Sequence, residues 1–469
     1  MPPMLYLLHL FGVLALSTAS SLTLQLVKNT TCLDGSLAGY YYSPPPTAQS
    51  QTWVIYLEGG GACFTEASCT KRSKGDLGSS KNWQKTMNCK SQFLLCDEES
   101  ANPGFNNAHH VYVPYANGDT HRGMRTQASE ETWGLYFSGH LNLRTIFNHL
   151  EQSYGLLSNS SHILLTGSSA GGIGTLYNVD YLKSIVASEN TVVKAAPNAG
   201  FFFPGALKSD FPGHPEYPPS NFSCFSQGQH CGFSNFESLV ADLWQSYRHP
   251  KCVAAHSEET VWYCDSAMTQ YAYVESPVYL LENQYDTNQI MTQNGCPKPT
   301  PSSPMSSVIN AYISMYGEAM RNSTEPQVQA KADQDALFLP SCFQHGVSTT
   351  ITIGGTQQLT WPEILPDWYW EHGKLTDSYF LVDDCKSPDG LPCNAMAGCQ
   401  IATGSNSCRA QLEKDGCLSG EKVLERYLLQ GPAKAASACI ECAQSHRKDL
   451  ESAGCTVSEV QSLCTSENA

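Results

Sequence analysis

Beyond residue 20 the chain has no apolar stretch of about 18 residues or more, so no transmembrane helix is encoded there. Basic residues are also scarce: 27 Lys and Arg stand against 43 Asp and Glu, a formal charge of −16. No dense Lys/Arg run appears anywhere, and a phosphate backbone demands one, so nucleic acid is excluded as a partner. Only 15% of residues are charged while 41% are hydrophobic. Those proportions exclude a disordered polyampholyte and a coiled coil, and they leave material for a sizeable core. At 469 residues, one large α/β unit with a small second one fits better than three units of ~150 residues.

Cysteine is what the sequence has in quantity: 20 residues, all between Cys32 and Cys464. An even count on this scale points to a disulfide framework made in an oxidising compartment, with connectivity left open. The zinc alternative has little to stand on. Cys439-x-x-Cys442 is a close pair, but only His446 lies nearby and no second pair completes four ligands, so no metal is expected.

The amino terminus agrees with that compartment. Residues 1–20 carry no Lys or Arg, yet an apolar run over 5–16 ends in the small residues Ser17-Thr-Ala-Ser20, the pattern of a secretory signal peptide. Four N-x-[ST] sequons, at Asn29, Asn159, Asn221 and Asn322, suit a chain that passes the secretory lumen and are the expected N-glycosylation sites. The expectation is a secreted protein without a transmembrane segment.

From 21 to 380 short β-rich apolar runs alternate with longer amphipathic or glycine-containing stretches. Strands are expected over 53–57, 110–114, 162–166 and 277–281, with another strand and loop within 191–203. Runs this apolar belong to strands buried on both faces, which is the mark of a mainly parallel sheet flanked by helices. Proline-rich loops are expected over 205–219 and 297–304. From Cys385 the composition changes: nine cysteines fall in 385–469 and helix-like pieces at 420–429 and 438–452 replace strands. This reads as a small Cys-rich helical module.

Three sequence features carry chemistry. Gly167-Ser168-Ser169-Ala170-Gly171 matches G-x-S-x-G, in which a strand-to-helix turn lifts the central serine out of the sheet. The run 162–166 leads into it and a helix-like segment follows, so Ser169 is the expected nucleophile, with Ser168 in the wrong slot. A serine hydroxyl needs a base, and hydrolases of this plan order their triads Ser, acid, His. Only His345, His372 and His446 follow Ser169 with room for an intervening acid-bearing strand. His446 lies in the tail and His372 sits in an aromatic cluster, which leaves His345, beside Cys342, as the best base. For the acid, Asp286 stands just past a strand, where open α/β sheets gather functional groups, and Glu282 is its rival. The third feature is Leu57-Glu58-Gly59-Gly60-Gly61-Ala62-Cys63, a glycine turn after the first buried strand. It suits a backbone amide that must reach an oxyanion unobstructed, which makes Gly60 and Ala170 the expected donors.

With these residues in place the sequence resembles the pectin acetylesterase and Notum family of extracellular carboxylesterases. The resemblance rests on LEGGGACF at 57–64, GSSAGGIGT at 167–175 with Asn178-Val-Asp180, Asn198-Ala-Gly-Phe-Phe202, Asn283-Gln-Tyr-Asp286 and Cys342-Phe-Gln-His345. It also takes in Cys32-Leu-Asp-Gly-Ser36 leading to Tyr40-Tyr-Tyr42, and it covers about 30–380. It implies an α/β-hydrolase-like fold, a triad of Ser169, Asp286 and His345, a Cys63–Cys69 disulfide, and no cofactor. Its implied substrates are an acylated polysaccharide, as for plant members that remove acetyl from pectin, or an acylated protein, as for Notum. Ala62 stands where members often carry an aromatic residue, and Asn198 replaces a common Asp. Gly61, Ala62, Phe201 and Phe202 are expected to border the acyl group, although three consecutive aromatics such as Phe201, Phe202 and Phe203 are more often core.

The rival class is a disulfide-rich extracellular binding protein that keeps the scaffold without catalysis. The intact triad residue types and glycine turn argue for the enzyme. The cysteines divide into eleven from Cys32 to Cys342 and nine from Cys385 onward. Both counts are odd, so either one bridge joins the tail to the catalytic region or each region keeps a free thiol, and the bridge is the expectation.

Overall fold

In the computed structural model, residues 21–89, 92–202 and 236–293 are described continuously, and residues between 296 and 464 with interruptions. The signal segment, both proline-rich loops, Phe203, Asn221, His372 and the helix expected over 420–429 lie outside the described residues.

The apolar runs form strands because each is long enough to pair on both sides and carries apolar side chains for both faces. The strands are Ser21–Leu26 (β1), Gly39–Ser43 (β2), Thr52–Leu57 (β3), Thr86–Asn88 (β4), His109–Val113 (β5) and His162–Ser168 (β6). They continue with Val192–Asn198 (β7), Tyr279–Leu281 (β8), Ala336–Leu339 (β9), a separate hairpin of Thr352–Ile353 (β10) and Leu359–Thr360 (β11), and Phe380–Val382 (β12). Ten of them make one sheet in the order β12-β9-β8-β7-β6-β3-β5-β2-β1-β4. From β12 to β5 the pairing is parallel, and β2, β1 and β4 add an antiparallel edge.

Alternation along β3 shows how both faces are filled. Trp53, Ile55 and Leu57 enter one core cluster with Ile163 and Leu165, while Val54 and Tyr56 enter another with Leu164 and Tyr279. Tyr42 of the antiparallel edge stacks on Tyr154 at 4.0 Å. That tyrosine ends Gly139–Tyr154 (α2), which follows the short Glu66–Arg72 (α1). Leu143, Ile146, Phe147 and Leu150 give α2 one apolar face, and Gly155 in the left-handed conformation closes it.

Register positions the site. Leu57 pairs with Gly167, Ser168 with Asn198, Asn198 with Leu281 and Leu281 with Phe338. The carboxyl ends of β3, β6, β7, β8 and β9 therefore align, and the residues just beyond them meet at one edge of the sheet.

The change of composition at Cys385 does not coincide with a change of packing. Leu391 and Ile401 belong to the first core cluster, Cys399 to the second, and Cys342 is bonded to Cys399. One bridge thus crosses the expected boundary. Farther on, the helices Pro432–Ser445 and Arg447–Ser452 break at His446, and Leu412, Cys417, Ala443 and Leu450 form a small core of their own. Cys439 and Cys442 enter two different disulfides, to Cys464 and Cys417. The clusters Cys252–His256–Cys264 and Cys417–Cys442–His446 have metal-like spacing, but in each the two sulfurs are bonded to one another. Among the described residues no helix is long and apolar enough to cross a membrane.

Candidate active site

Ser169 stands between β6 and Ala170–Ile185 (named α3), as its N-cap, with φ 57° and ψ −121°. A serine in this sparsely populated region costs roughly 1–3 kcal/mol, so the surroundings must hold it. They do so by hydrogen bonds on both sides: Ser169 N–H donates to Asn198 O at 2.8 Å, and Ile173 N–H donates to Ser169 O at 2.9 Å. The first amides of α3 have no acceptor inside their own helix, and Ala170 carries one of them beside Ser169.

The glycine turn packs directly on this elbow. A Cβ on Gly59 would collide with the backbone carbonyl oxygen of Ser168 and lie 3.1 Å from Ser169 Cβ, so glycine is needed where β3 ends against the serine. Gly60 follows with φ 142°. The turn is pinned at several points: Tyr115 N–H donates to Glu58 Oε2 at 2.8 Å, Arg72 Nη2 to Gly60 O at 2.6 Å, and Cys63 N–H to Gly118 O at 3.0 Å. Cys63 is bonded to Cys69 on α1, which ties the turn to that helix.

Asp286 and His345 meet from the loops after β8 and β9. His345 Nδ1 lies 2.7 Å from Asp286 Oδ2, and Gln289 N–H donates to Asp286 Oδ1 at 2.8 Å. Asp286 is wholly buried, while a quarter of the His345 side chain is exposed. Burial pulls the His345 pKa down, but the Asp286 charge and hydrogen bond outweigh it, so the imidazole sits above its ordinary value. His345 Nε2 is buried without a hydrogen-bond partner, which leaves it for a proton from outside the pair. Phe202 stands edge-on to the His345 ring at 6.2 Å. A cleft of about 290 Å³ opens beside His345, bordered by Tyr56, Gln92, Ser168, Asn198 and Trp361.

Several neighbours matter that sequence reading assigned otherwise or overlooked. Asn283 Nδ2 donates to Gln344 O and Gly346 O, both at 2.9 Å, and so grips the backbone on either side of His345. Asn198 accepts from Val347 N–H at 2.7 Å and donates to Val347 O at 3.0 Å. Glu282, the rival acid, is buried beside Asp286: it accepts from Phe201 N–H at 3.1 Å and shares a hydrogen bond with Asp286. Burial first, and the Asp286 charge second, push its pKa well above the usual carboxylate range. Phe201 itself is wholly buried in the first core cluster, edge-on to Tyr271 at 5.6 Å. Ala62 packs against the cluster of Cys63, Leu135 and Trp244, and Gly61 is exposed beside the turn. Asn29, Asn159 and Asn322 are exposed.

A mostly parallel sheet with a serine elbow, a histidine–aspartate pair and a glycine turn at its carboxyl edge defines an α/β-hydrolase-like protein. The family model described as Pectinacetylesterase matches residues 16–394, and the chain belongs to that family. It is similar to the palmitoleoyl-protein carboxylesterase Notum of Schmidtea mediterranea, 31% identical over 265 residues that cover 56% of this chain and 47% of that one. Mouse (Mus musculus) Notum is 26% identical over 392 residues, 79% of this chain and 71% of the relative. Pectin acetylesterase 5 of Arabidopsis thaliana is 34% identical over 175 residues, 37% of this chain and 40% of the relative. Among solved structures, the Wnt deacylase Notum from Drosophila matches with a TM-score of 0.62 and 25% identity, covering 78% of this chain and 97% of that one. The chain spans about half of the Schmidtea relative and 43% of Drosophila Notum.

Proposed function

We propose that the chain is a secreted serine carboxylesterase that hydrolyses O-acyl esters. The observation that carries this reading is the 2.7 Å His345–Asp286 pair, set at the same sheet edge as a serine in the strained elbow conformation. Ser169 Oγ attacks the ester carbonyl as His345 Nε2 takes its proton, and Asp286 holds the imidazole and stabilises the charge it gains. The oxyanion of the tetrahedral intermediate is received by the amides of Gly60 and Ala170. Collapse breaks the bond to the alcohol oxygen, which leaves with the proton from His345. Water then gives a proton to His345 and attacks the acyl-serine, and collapse of that second intermediate breaks the acyl–Oγ bond as His345 returns the proton to Ser169 Oγ, releasing the carboxylic acid.

The relatives' names, palmitoleoyl-protein carboxylesterase and pectin acetylesterase, support an acylated substrate for this chain. The substrate of this chain is accordingly an acylated polysaccharide or an acylated protein. The disulfides and the exposed sequons support an extracellular setting.

Ser169→Ala tests the assignment. Hydrolysis of p-nitrophenyl acetate should fall by roughly 100,000-fold, and a fluorophosphonate probe should label the wild type alone. A folded wild type that neither turns over the ester nor takes the label would instead be a binding protein. Initial rates on acetylated polysaccharide, octanoyl and palmitoleoyl esters then rank the acyl length.

A further inference from the structure

His121 lies upstream of the nucleophile and has no place in a Ser-acid-His order, yet it joins the two halves of the oxyanion site. Its Nε2 is 2.9 Å from Glu58 O, the carbonyl that opens the glycine turn. On the other side, Asn178 of α3 donates its Nδ2–H to His121 O at 3.1 Å. Helix and histidine also touch: a Cβ on Gly174 would sit 2.8 Å from His121 Cβ, so α3 approaches this close only because a glycine faces it. Tyr115, whose N–H holds the Glu58 carboxylate, packs its ring on the imidazole at 4.8 Å.

The backbone here is costly. Thr120 and His121 are consecutive non-glycine residues with φ of 53° and 58°, and for a β-branched threonine that is a true outlier. The Thr120 N–H is satisfied by Tyr115 Oη at 2.8 Å, which helps to keep the strained pair in place. A carbonyl can only accept, so Nε2 must carry the proton. Burial lowers the His121 pKa to about 4, so at neutral pH the ring is an uncharged donor that costs little to bury.

We infer that His121 is a positioning residue, whose bridge between Glu58 and α3 sets the spacing of the Gly60 and Ala170 amides. The bridge matters because one amide belongs to the turn after β3 and the other to the helix after β6. A shift of either by a fraction of an ångström weakens transition-state binding more than substrate binding. The inference rests on the esterase reading, which wild-type turnover and its loss in Ser169→Ala test separately.

The experiment compares His121→Phe, which keeps a ring and loses the donor, with His121→Gln, which keeps a nitrogen donor at similar reach. On p-nitrophenyl acetate, His121→Phe should lower kcat roughly ten- to hundredfold with KM within about twofold. Affinity for a trifluoromethyl ketone, which forms a tetrahedral adduct, should fall in step with kcat. His121→Gln should recover most of both. Wild-type kcat in His121→Phe, or equal loss of kcat in both variants alongside equal loss of thermal midpoint, overturns the inference. Should His121→Phe not fold, Tyr115→Phe frees the Thr120 N–H and relaxes the same strained pair. It should lower kcat several-fold at unchanged KM, and an unchanged kcat would overturn the inference equally.

Discussion

Asp286 and His345 are 59 residues apart in sequence and 2.7 Å apart in space, because β8 and β9 are parallel neighbours that release both at the same sheet edge. The pair has a direct pH consequence. His345 must be neutral to accept the serine proton, and Asp286 raises its pKa, so kcat/KM should fall as pH drops through a value above the ordinary ~6.5. Asp286→Asn removes the charge that raises that pKa. The acid limb should move to lower pH while the plateau drops by roughly 10,000-fold, because the tautomer is no longer enforced. A pH–rate profile with the limb unmoved would separate Asp286 from the base.

Glu282 tests the buried environment of that pair. A carboxyl group with no solvent, set against Asp286, favours its protonated form and serves as a hydrogen-bonding neutral group. Glu282→Gln should therefore keep kcat within several-fold and leave the acid limb where it is. Glu282→Leu strands the Phe201 N–H without an acceptor, costing about 1–3 kcal/mol of stability, and lowers kcat. A downward shift of the limb in Glu282→Gln would mean that Glu282 is charged beside His345.

The Cys342–Cys399 bridge ties down the loop that carries His345. It spans 57 residues, and on chain-entropy grounds such a closure is worth about 4 kcal/mol. Phe343 N–H also donates to Cys399 O at 2.7 Å, next to the bridge. The double variant Cys342→Ser, Cys399→Ser should lower the thermal midpoint and reduce kcat more than it raises KM, read by calorimetry and steady-state kinetics. Unchanged kcat in the folded variant would show that Asn283 and Asn198 hold the loop unaided.

Legibility in the sequence followed the physics of each residue. The runs that became β3, β5 and β6 were readable because strands buried on both faces must be continuously apolar. The antiparallel strand β1 and the edge strand β4 were not, since exposed positions dilute the pattern. Ser169 was marked by the glycines its turn requires, and Asp286 by its place after a strand. His121 left no mark, because its role depends on a left-handed turn and on where α3 passes. Phe201 and Phe202 looked equivalent, and only the path of the chain beyond β7 sends one into the core and the other against His345. Cysteine density marked a boundary at Cys385 that packing does not observe, since a disulfide can tie a segment to a core as readily as staple a module.

Gly171 offers the sharpest test of the elbow's packing. A Cβ there would stand 2.7 Å from the carbonyl carbon of Leu57 and 2.9 Å from Glu58 O, both backbone atoms that cannot rotate away. Gly171→Ala must push α3 off the end of β3, which costs roughly 1–3 kcal/mol as overpacking. The same displacement separates the Ala170 amide from the glycine turn, so kcat should fall more steeply than stability. Gly75→Ala is the matched control: its Cβ would meet only Arg72 O, at 3.9 Å. That variant should stay within about 0.5 kcal/mol of wild type and keep its kcat. Urea midpoints and kcat for the two variants read the contrast. Equal behaviour would mean that the close approach of β3 and α3 does not set the geometry of the site.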